Sequence, residues 1–206
     1  MGLWAIIPVK PLRRGKSRLA GILSEDERTL LNFTMLGNSL KALSGVKAID
    51  EILVVSRDPA ALSLAREYGA RTVLEDSNAG LNMALKRATI VAQAYAAQDV
   101  LVLPADLPLL QSGDIEQLLE HTGKPPEMVI APDRRMDGTN ALYLTPPGRI
   151  EYNFGVNSFH KHVQQAQAKG MHVEVFSLPS FGLDLDLPED LDILRKMDIP
   201  EFPTQP

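Results

Sequence analysis

The chain has 206 residues, 45% of them hydrophobic, which is enough to bury a core as a single domain over residues 1–206, and no shift in composition marks a linker. A formal charge of -5 provides no sequence-wide basic field, so a protein that coats nucleic acid is disfavoured and a small ligand is expected. With no cysteine, disulfides and thiolate metal sites are excluded, any metal must take oxygen or imidazole ligands, and the composition fits a reducing cytoplasm.

The opening apolar run lacks a basic flank and ends too soon for a signal peptide or a membrane span; it reads as a first strand, Leu3–Val9. The loop that follows carries Lys10, Arg13, Arg14, Lys16 and Arg18 around Gly15. Cations and free backbone N–H groups at a strand-to-helix turn suit a phosphate clamp, and the alternative is a solvated basic loop. Gly15-Lys16-Ser17 resembles the end of a P-loop, but Lys10 stands where that motif has glycine, and no strand is followed by GxGxxG.

Ser24 and Glu27 form a capping box that opens a helix to about residue 43. A strand over 51–56 leads to Asp58 and Pro59, an N-cap and first helical residue, and Gly69 closes that helix before a strand over Arg71–Leu74. A polar loop, Asp76 to Asn82, comes next. Gly80 there can pass close to a planar base and Asn82 can hydrogen-bond it, or Asn78 or Asn82 merely starts the helix expected over 81–97.

The run 100–103 reads as a fully buried parallel strand, and Asp106 follows it, in the crevice where open α/β sheets bind ligands. A helix begins near Ser112 or Gly113, and strands are expected over 128–131, 141–144 and 172–176, the later ones free to run antiparallel. Gly138, Thr139 and Asn140 make a turn that either wraps an anion or closes an Asp-Gly hairpin. Ser158 is expected to cap a helix over 158–169, whose N-terminus attracts anions; His160 and His162 cannot share a helix face, so no zinc is expected. Leu183-Asp184-Leu185-Asp186 precedes a helix starting at Pro188, and the proline-rich tail 199–206 reads as a frayed or irregular strap. Strands alternating with helices predict a three-layer α/β/α domain with a mainly parallel mixed sheet. If the fold sets Asp184 and Asp186 beside Asp106, the oxygen cluster suits Mg²⁺ and a phosphate-bearing substrate; otherwise these acids cap helices.

In their order along nearly the whole chain, Ile7-Pro8-Val9-Lys10, Lys16-Ser17-Arg18-Leu19, Gly80-Leu81-Asn82, Leu103-Pro104-Ala105-Asp106-Leu107-Pro108, Gly138-Thr139-Asn140, Phe154-Gly155 with Ser158-Phe159, and Asp184-Leu185-Asp186 resemble one family. It is the 2-phospho-L-lactate and phosphoenolpyruvate guanylyltransferases of coenzyme F420 biosynthesis. The resemblance implies a glycosyltransferase-A-like nucleotidyltransferase that joins GMP from GTP to the phosphate of a three-carbon acid and releases pyrophosphate. It implies that Asp106, Asp184 and Asp186 hold Mg²⁺, that Thr139, Gly155 and Ser158 receive the acid's phosphate, and that Lys10, Lys16 and Arg18 hold the GTP phosphates. Asp106, Lys16 and Arg18 are then the catalytic set, with Gly80 and Asn82 at the nucleotide base. Leu185 and Leu187 depart from the polar company expected around the acidic pair. Rival readings are transfer to another acceptor, such as a molybdopterin or a sugar phosphate, or a non-catalytic nucleotide-binding module. Phosphoenolpyruvate, 2-phospho-L-lactate and 3-phosphoglycerate are not separated by these residues, and the oligomeric state, a homodimer included, stays open.

Overall fold

In the computed structural model, which describes residues 2–75 and 80–197, the apolar runs pair into one seven-stranded sheet. Its strands are β1 (Leu3–Val9), β2 (Ile49–Ser56), β3 (Arg71–Leu74), β4 (Asp99–Val102), β5 (Glu127–Pro132), β6 (Thr139–Thr145) and β7 (His172–Val175). The helices are α1 (Glu25–Ser44), α2 (Pro59–Glu67), α3 (Leu81–Ala94), α4 (Ser112–Glu120), α5 (Ser158–Ala168), α6 (Pro179–Gly182) and α7 (Pro188–Lys196). Asn78 and the tail 199–206, both given roles above, lie outside the described residues.

The strand order is β3-β2-β1-β4-β6-β5-β7. After β1 the chain builds β2 and β3 on one side and then crosses to place β4 on the other, so the sheet switches direction of winding between β1 and β4. Loops leaving the two strands part there and open a crevice. Of the later strands only β6 runs against its neighbours, antiparallel to both β4 and β5, while β5 and β7 pair in parallel. The hairpin reading of the Asp-Gly segment is therefore the observed one: Asp133 Oδ1 accepts the N–H groups of Arg135 and Asp137 at 3.1 and 2.9 Å and turns β5 into β6.

Residues on β1 alternate between two cores, as the period of a strand requires. Ala5 and Ile7 pack with Leu36 and Leu40 of α1, Leu62 of α2 and Ile115 of α4, whereas Trp4 and Ile6 pack with Leu85 of α3 and Phe159 of α5. The expected three layers follow from this alternation. A third, smaller core joins Leu19, Leu31 and Met35 to Leu183, Leu185, Leu191 and Leu194 at the edge of the crevice.

The capping signals act as expected at α1, where Ser24 N–H donates to Glu27 Oε2 at 2.7 Å and Glu27 N–H to Ser24 Oγ at 3.3 Å. Helix α3 ends earlier than the apolar pattern predicts because Ala96 turns to φ 61° and Ala97 N–H closes onto the Ala92 carbonyl at 3.0 Å. Ser158 is not the cap of α5. Asn157, at φ 60°, occupies that position, and Ser158 is the first helical residue, its hydroxyl buried in the interior. Two single 3-10 turns, Leu12–Arg14 and Ser17–Leu19, and the four-residue α6 escape sequence reading because they are too short to show a period.

Candidate active site

The basic loop after β1 is pinned at several points. Leu12 is buried; its N–H donates to Asp58 Oδ2 at 2.7 Å and its carbonyl accepts from Asn32 Nδ2 at 2.7 Å. Asp58 uses its other oxygen to cap α2, accepting Ala60 N–H at 2.9 Å, so one side chain starts a helix and holds the loop. The sequence marks Asp58 only as a cap, and Asn32 carries no signal because its partner is twenty residues away. A Cβ at Gly15 would run into the Asn32 amide, which the Leu12 carbonyl holds in place, so loop and helix approach closely there. Lys16 follows in the left-handed region at φ 55°, ψ 36°.

Its ammonium, on a side chain only 5% exposed, lies 3.1 Å from Asp106 Oδ2 and 3.0 Å from Asp186 Oδ1. Burial alone would lower the Lys16 pKa, but the charges of Asp106 and Asp186 outweigh it and hold the ammonium above the ordinary lysine range. Asp186 is under the opposite balance: burial pushes it up, but the cations of Lys16, Lys10 and Arg18 bring it below the ordinary carboxylate range. Lys10 and Arg18 thus act electrostatically on the same spot. Arg13 points away to Glu25 at 3.8 Å, on the exposed side.

The acids arrive from two segments that the chain stitches together. Asp106 lies in a turn past β4; Leu103 N–H donates to the Ile6 carbonyl and Leu185 N–H to the Asp106 carbonyl, both at 3.0 Å. Leu183 and Leu185 point into the small third core, and strand-like alternation turns Asp184 and Asp186 to the other side. Leu185, one of the two leucines that depart from the expected pattern, thus helps aim the acids. Asn140 Nδ2 donates to the Phe181 carbonyl at 2.7 Å and reaches Asp184 Oδ1 at 3.5 Å, so this residue of the Gly-Thr-Asn turn orients the acidic segment. Burial first, and then the charges of Asp106 and Asp186, push the Asp184 carboxyl above its ordinary range.

Among the described residues no group of three acids or imidazoles is gathered tightly enough to hold a metal ion; the Lys16 ammonium stands between two of the carboxylates instead. The donor chemistry nevertheless fits a hard divalent cation. All three donors are carboxylate oxygens, the ligand type such an ion takes.

On the other side of β4 lies a hydroxyl pair. Asn153 N–H donates to His162 Nε2 at 2.9 Å, so the neutral ring carries its proton on Nδ1 and donates it to Thr139 Oγ1 at 3.1 Å. Ser158 Oγ donates to the same Thr139 oxygen at 3.1 Å, which leaves the Thr139 proton as a donor directed away from both. All three side chains are buried. Gly155, at φ 124°, opens the loop before α5, and a Cβ there would meet nothing within 4 Å. Asn82 has another task than the one expected of it: its amide pairs with the Phe154 backbone, accepting N–H at 2.8 Å and donating to the carbonyl at 3.2 Å, and so ties α3 to this loop.

Burial, and secondarily the Lys161 charge, lowers His162 to about 4. Because this lies below the value of a histidine in the unfolded chain, the unfolded state takes up the proton first as pH falls. The stability that a neutral His162 contributes is complete above about pH 7 and is lost between about 6.5 and 4, by about 2 kcal/mol on going from pH 7.5 to 5. Urea unfolding across that range checks it: His162→Gln should lose less stability over the same interval, and identical pH dependence in the two proteins would refute the assignment.

A cavity of about 380 Å³ opens at the crevice between β1 and β4 and is lined by Lys10, Lys16, Gly80, Asp106 and Asp186, with Val55, Leu81 and Ala84 along its apolar wall. Phe154 reaches it from the loop before α5, while Arg18, Asn82, Thr139, Gly155, Ser158 and Asp184 do not line it. The sequence-predicted residues therefore fall into Lys10, Lys16, Asp106 and Asp186 in the cavity, with Arg18 and Asp184 next to them, and the Thr139–Ser158 hydroxyl pair on the other side of β4.

The family model of guanylyl transferases described as CofC like matches residues 3–197. The chain is 44% identical over 191 residues to a phosphoenolpyruvate guanylyltransferase of Rubrobacter xylanophilus, covering 93% of this chain and 92% of that protein. It is 34% identical over 186 residues to a 2-phospho-L-lactate guanylyltransferase of Methanocaldococcus jannaschii, covering 90% of this chain and 79% of that protein. Among solved structures, a cytidylyltransferase of Leptospira borgpetersenii superposes with a TM-score of 0.63 at 14% identity, over 98% of this chain and 89% of that one, a likeness of fold alone.

Proposed function

Because the chain belongs to the guanylyl transferase CofC-like family, we propose that it transfers GMP from GTP to the phosphate of a phosphorylated three-carbon acid, within coenzyme F420 biosynthesis. The single observation that carries the reading in this molecule is the convergence of Lys16, Asp106 and Asp186, with Lys10 and Arg18 in electrostatic range, at the switch point of the sheet. Phosphoenolpyruvate is the acceptor of choice, since the relative named for it matches at 44% against 34% for the one named for 2-phospho-L-lactate.

In the reaction an oxygen of the acid's phosphate forms a bond to the α-phosphorus of GTP, the α–β phosphoanhydride bond breaks, and pyrophosphate leaves. The nucleophile is already an anion, so the task is alignment and neutralisation of charge, and a general base is not required. Asp106, Asp184 and Asp186 would hold Mg²⁺, which supplies charge neutralisation on the triphosphate. Lys10, Lys16 and Arg18 bind the phosphates of GTP, and Lys16, seated among the acids, meets the charge that develops on the leaving oxygen. Thr139, with its proton directed outward by His162 and Ser158, donates to the acceptor phosphate, and the open Gly155 lets that group approach the backbone. The formation of products from two phosphorylated metabolites supports a cytoplasmic setting, and no described helix is long and apolar enough to cross a membrane.

The test is pyrophosphate release from GTP with Mg²⁺ and phosphoenolpyruvate, 2-phospho-L-lactate or 3-phosphoglycerate in turn, with ATP as control. Release with phosphoenolpyruvate above the others is the expected result. Binding of GTP without release of pyrophosphate from any acid would replace the reading with a nucleotide-binding module.

A further inference from the structure

The cavity carries a third carboxylate besides those of Asp106 and Asp186, one that phosphate chemistry does not use. Glu75 lines it at the end of β3, and its Oε1, shielded from solvent, accepts no hydrogen bond from any described residue. Its backbone is fixed, because Glu75 N–H donates to the Ser56 carbonyl at 2.9 Å and extends the β2–β3 ladder by one residue. A carboxylate facing a site for a triphosphate repels phosphates, and a buried acceptor without a donor is costly, so its partner is a donor elsewhere on the ligand.

The strand order locates that donor. β3 and β4 are separated by β2 and β1, three inter-strand steps or about 14 Å, so the β3 end of the cavity, where Glu75 lies, is about one nucleotide's length from its β4 end. Between them Val55, Leu81 and Ala84 give the apolar wall against which a base can lie. Guanine presents two adjacent donors on one edge, N1–H and the 2-amino group, which match the two oxygens of a carboxylate. Adenine has an acceptor at N1, and a carboxylate repels it.

We propose that Glu75 is the residue that selects guanine, accepting N1–H and the 2-amino group of the base at the β3 end of the cavity. The inference rests on the GTP-dependent reading above and adds the group that sets the nucleotide. It assigns base recognition to a side chain, where Gly80 shapes the wall and Asn82 is engaged by Phe154.

The experiment compares kcat/KM for GTP, ITP and ATP in the wild type, Glu75→Gln and Glu75→Asp, with Mg²⁺ and the accepting acid, and circular dichroism to verify folding. ITP keeps N1–H and lacks the 2-amino group. The wild type is expected to favour GTP over ITP by about tenfold and over ATP by much more. In Glu75→Gln, GTP turnover falls by about 30-fold or more, ITP falls less, and ATP turnover rises, because an amide can donate to adenine N1 and accept from its amino group. Glu75→Asp retains the order of preference with a reduced margin and serves in place of the glutamine variant should that one fold poorly. KM for the acid stays the same throughout. A loss shared equally by the three nucleotides would assign Glu75 to the ribose or to the fold and overturn the inference, as would an unaltered preference. Absence of GTP turnover in the wild type overturns the underlying reading and the inference with it, whereas wild-type turnover with unaltered preference in the variants overturns the inference alone.

Discussion

Asp106→Asn lowers kcat for pyrophosphate release by roughly 10³-fold and leaves the fold intact, as measured by initial rates beside a thermal melt. The substitution keeps the shape of the side chain and removes the charge from the carboxylate nearest the switch point. Stability changes little because the side chain is 31% exposed and Lys16 keeps its second partner, Asp186, at 3.0 Å. The chemical loss is large because charge at a preorganised, partly desolvated site acts on the transition state with little screening, and an amide is a poor ligand for a hard cation. Removal of Mg²⁺ by a chelator should silence the wild type to a similar degree. Turnover in Asp106→Asn within about threefold of the wild type would refute the role given to Asp106.

Asp190→Ala is expected to have the largest effect on stability, about 3–5 kcal/mol in urea unfolding, with a loss of turnover beyond what the unfolded fraction explains. Asp190 is 3% exposed. Its Oδ2 accepts the N–H groups of Asp186 and Leu187 at 3.0 and 2.6 Å, and its Oδ1 accepts from Arg134 at 2.6 Å. One carboxylate therefore starts α7, fixes the backbone of an active-site acid and neutralises a guanidinium. Truncation leaves two peptide N–H groups and a charge without partners, and freed from this hold Asp186 no longer meets Lys16 in a single geometry. Asp190→Asn, which can still accept a hydrogen bond, should recover part of the stability. A cost below about 1 kcal/mol for the alanine variant would mean that α7 and Asp186 are held by other contacts.

The residues around Asp190 show where sequence reading stops. Pro188 announces a helix start in the sequence, and the acids at 189 and 190 suit a first turn, but nothing local distinguishes the exposed Glu189 from the buried Asp190; burial is a property of what packs from elsewhere. Asn82 and Ser158 illustrate the same limit in the other direction. Each has the chemistry to bind a ligand, and each has an equally ordinary structural use; Asn82 is engaged by the Phe154 backbone, and Ser158 donates to a neighbouring hydroxyl from inside the helix rather than capping it. Glu75 left no trace in the sequence at all, since a single glutamate after a short strand has no pattern.

By itself the sequence determined the strands, the longer helices and the layers, because the periods of apolar residues, the caps at Ser24 and Asp58 and the acid beyond a buried strand are local chemistry. It also supplied the inventory of the site: the cations between 10 and 18, Asp106, and the Asp184–Asp186 pair. Only the tertiary structure decided that β6 alone reverses, that Lys16 lies between Asp106 and Asp186, that Leu183 and Leu185 aim the acids, and that Glu75 faces the same cavity. These are contacts between residues dozens to more than a hundred positions apart. They are set by strand order and core packing, and no window of the chain contains both partners.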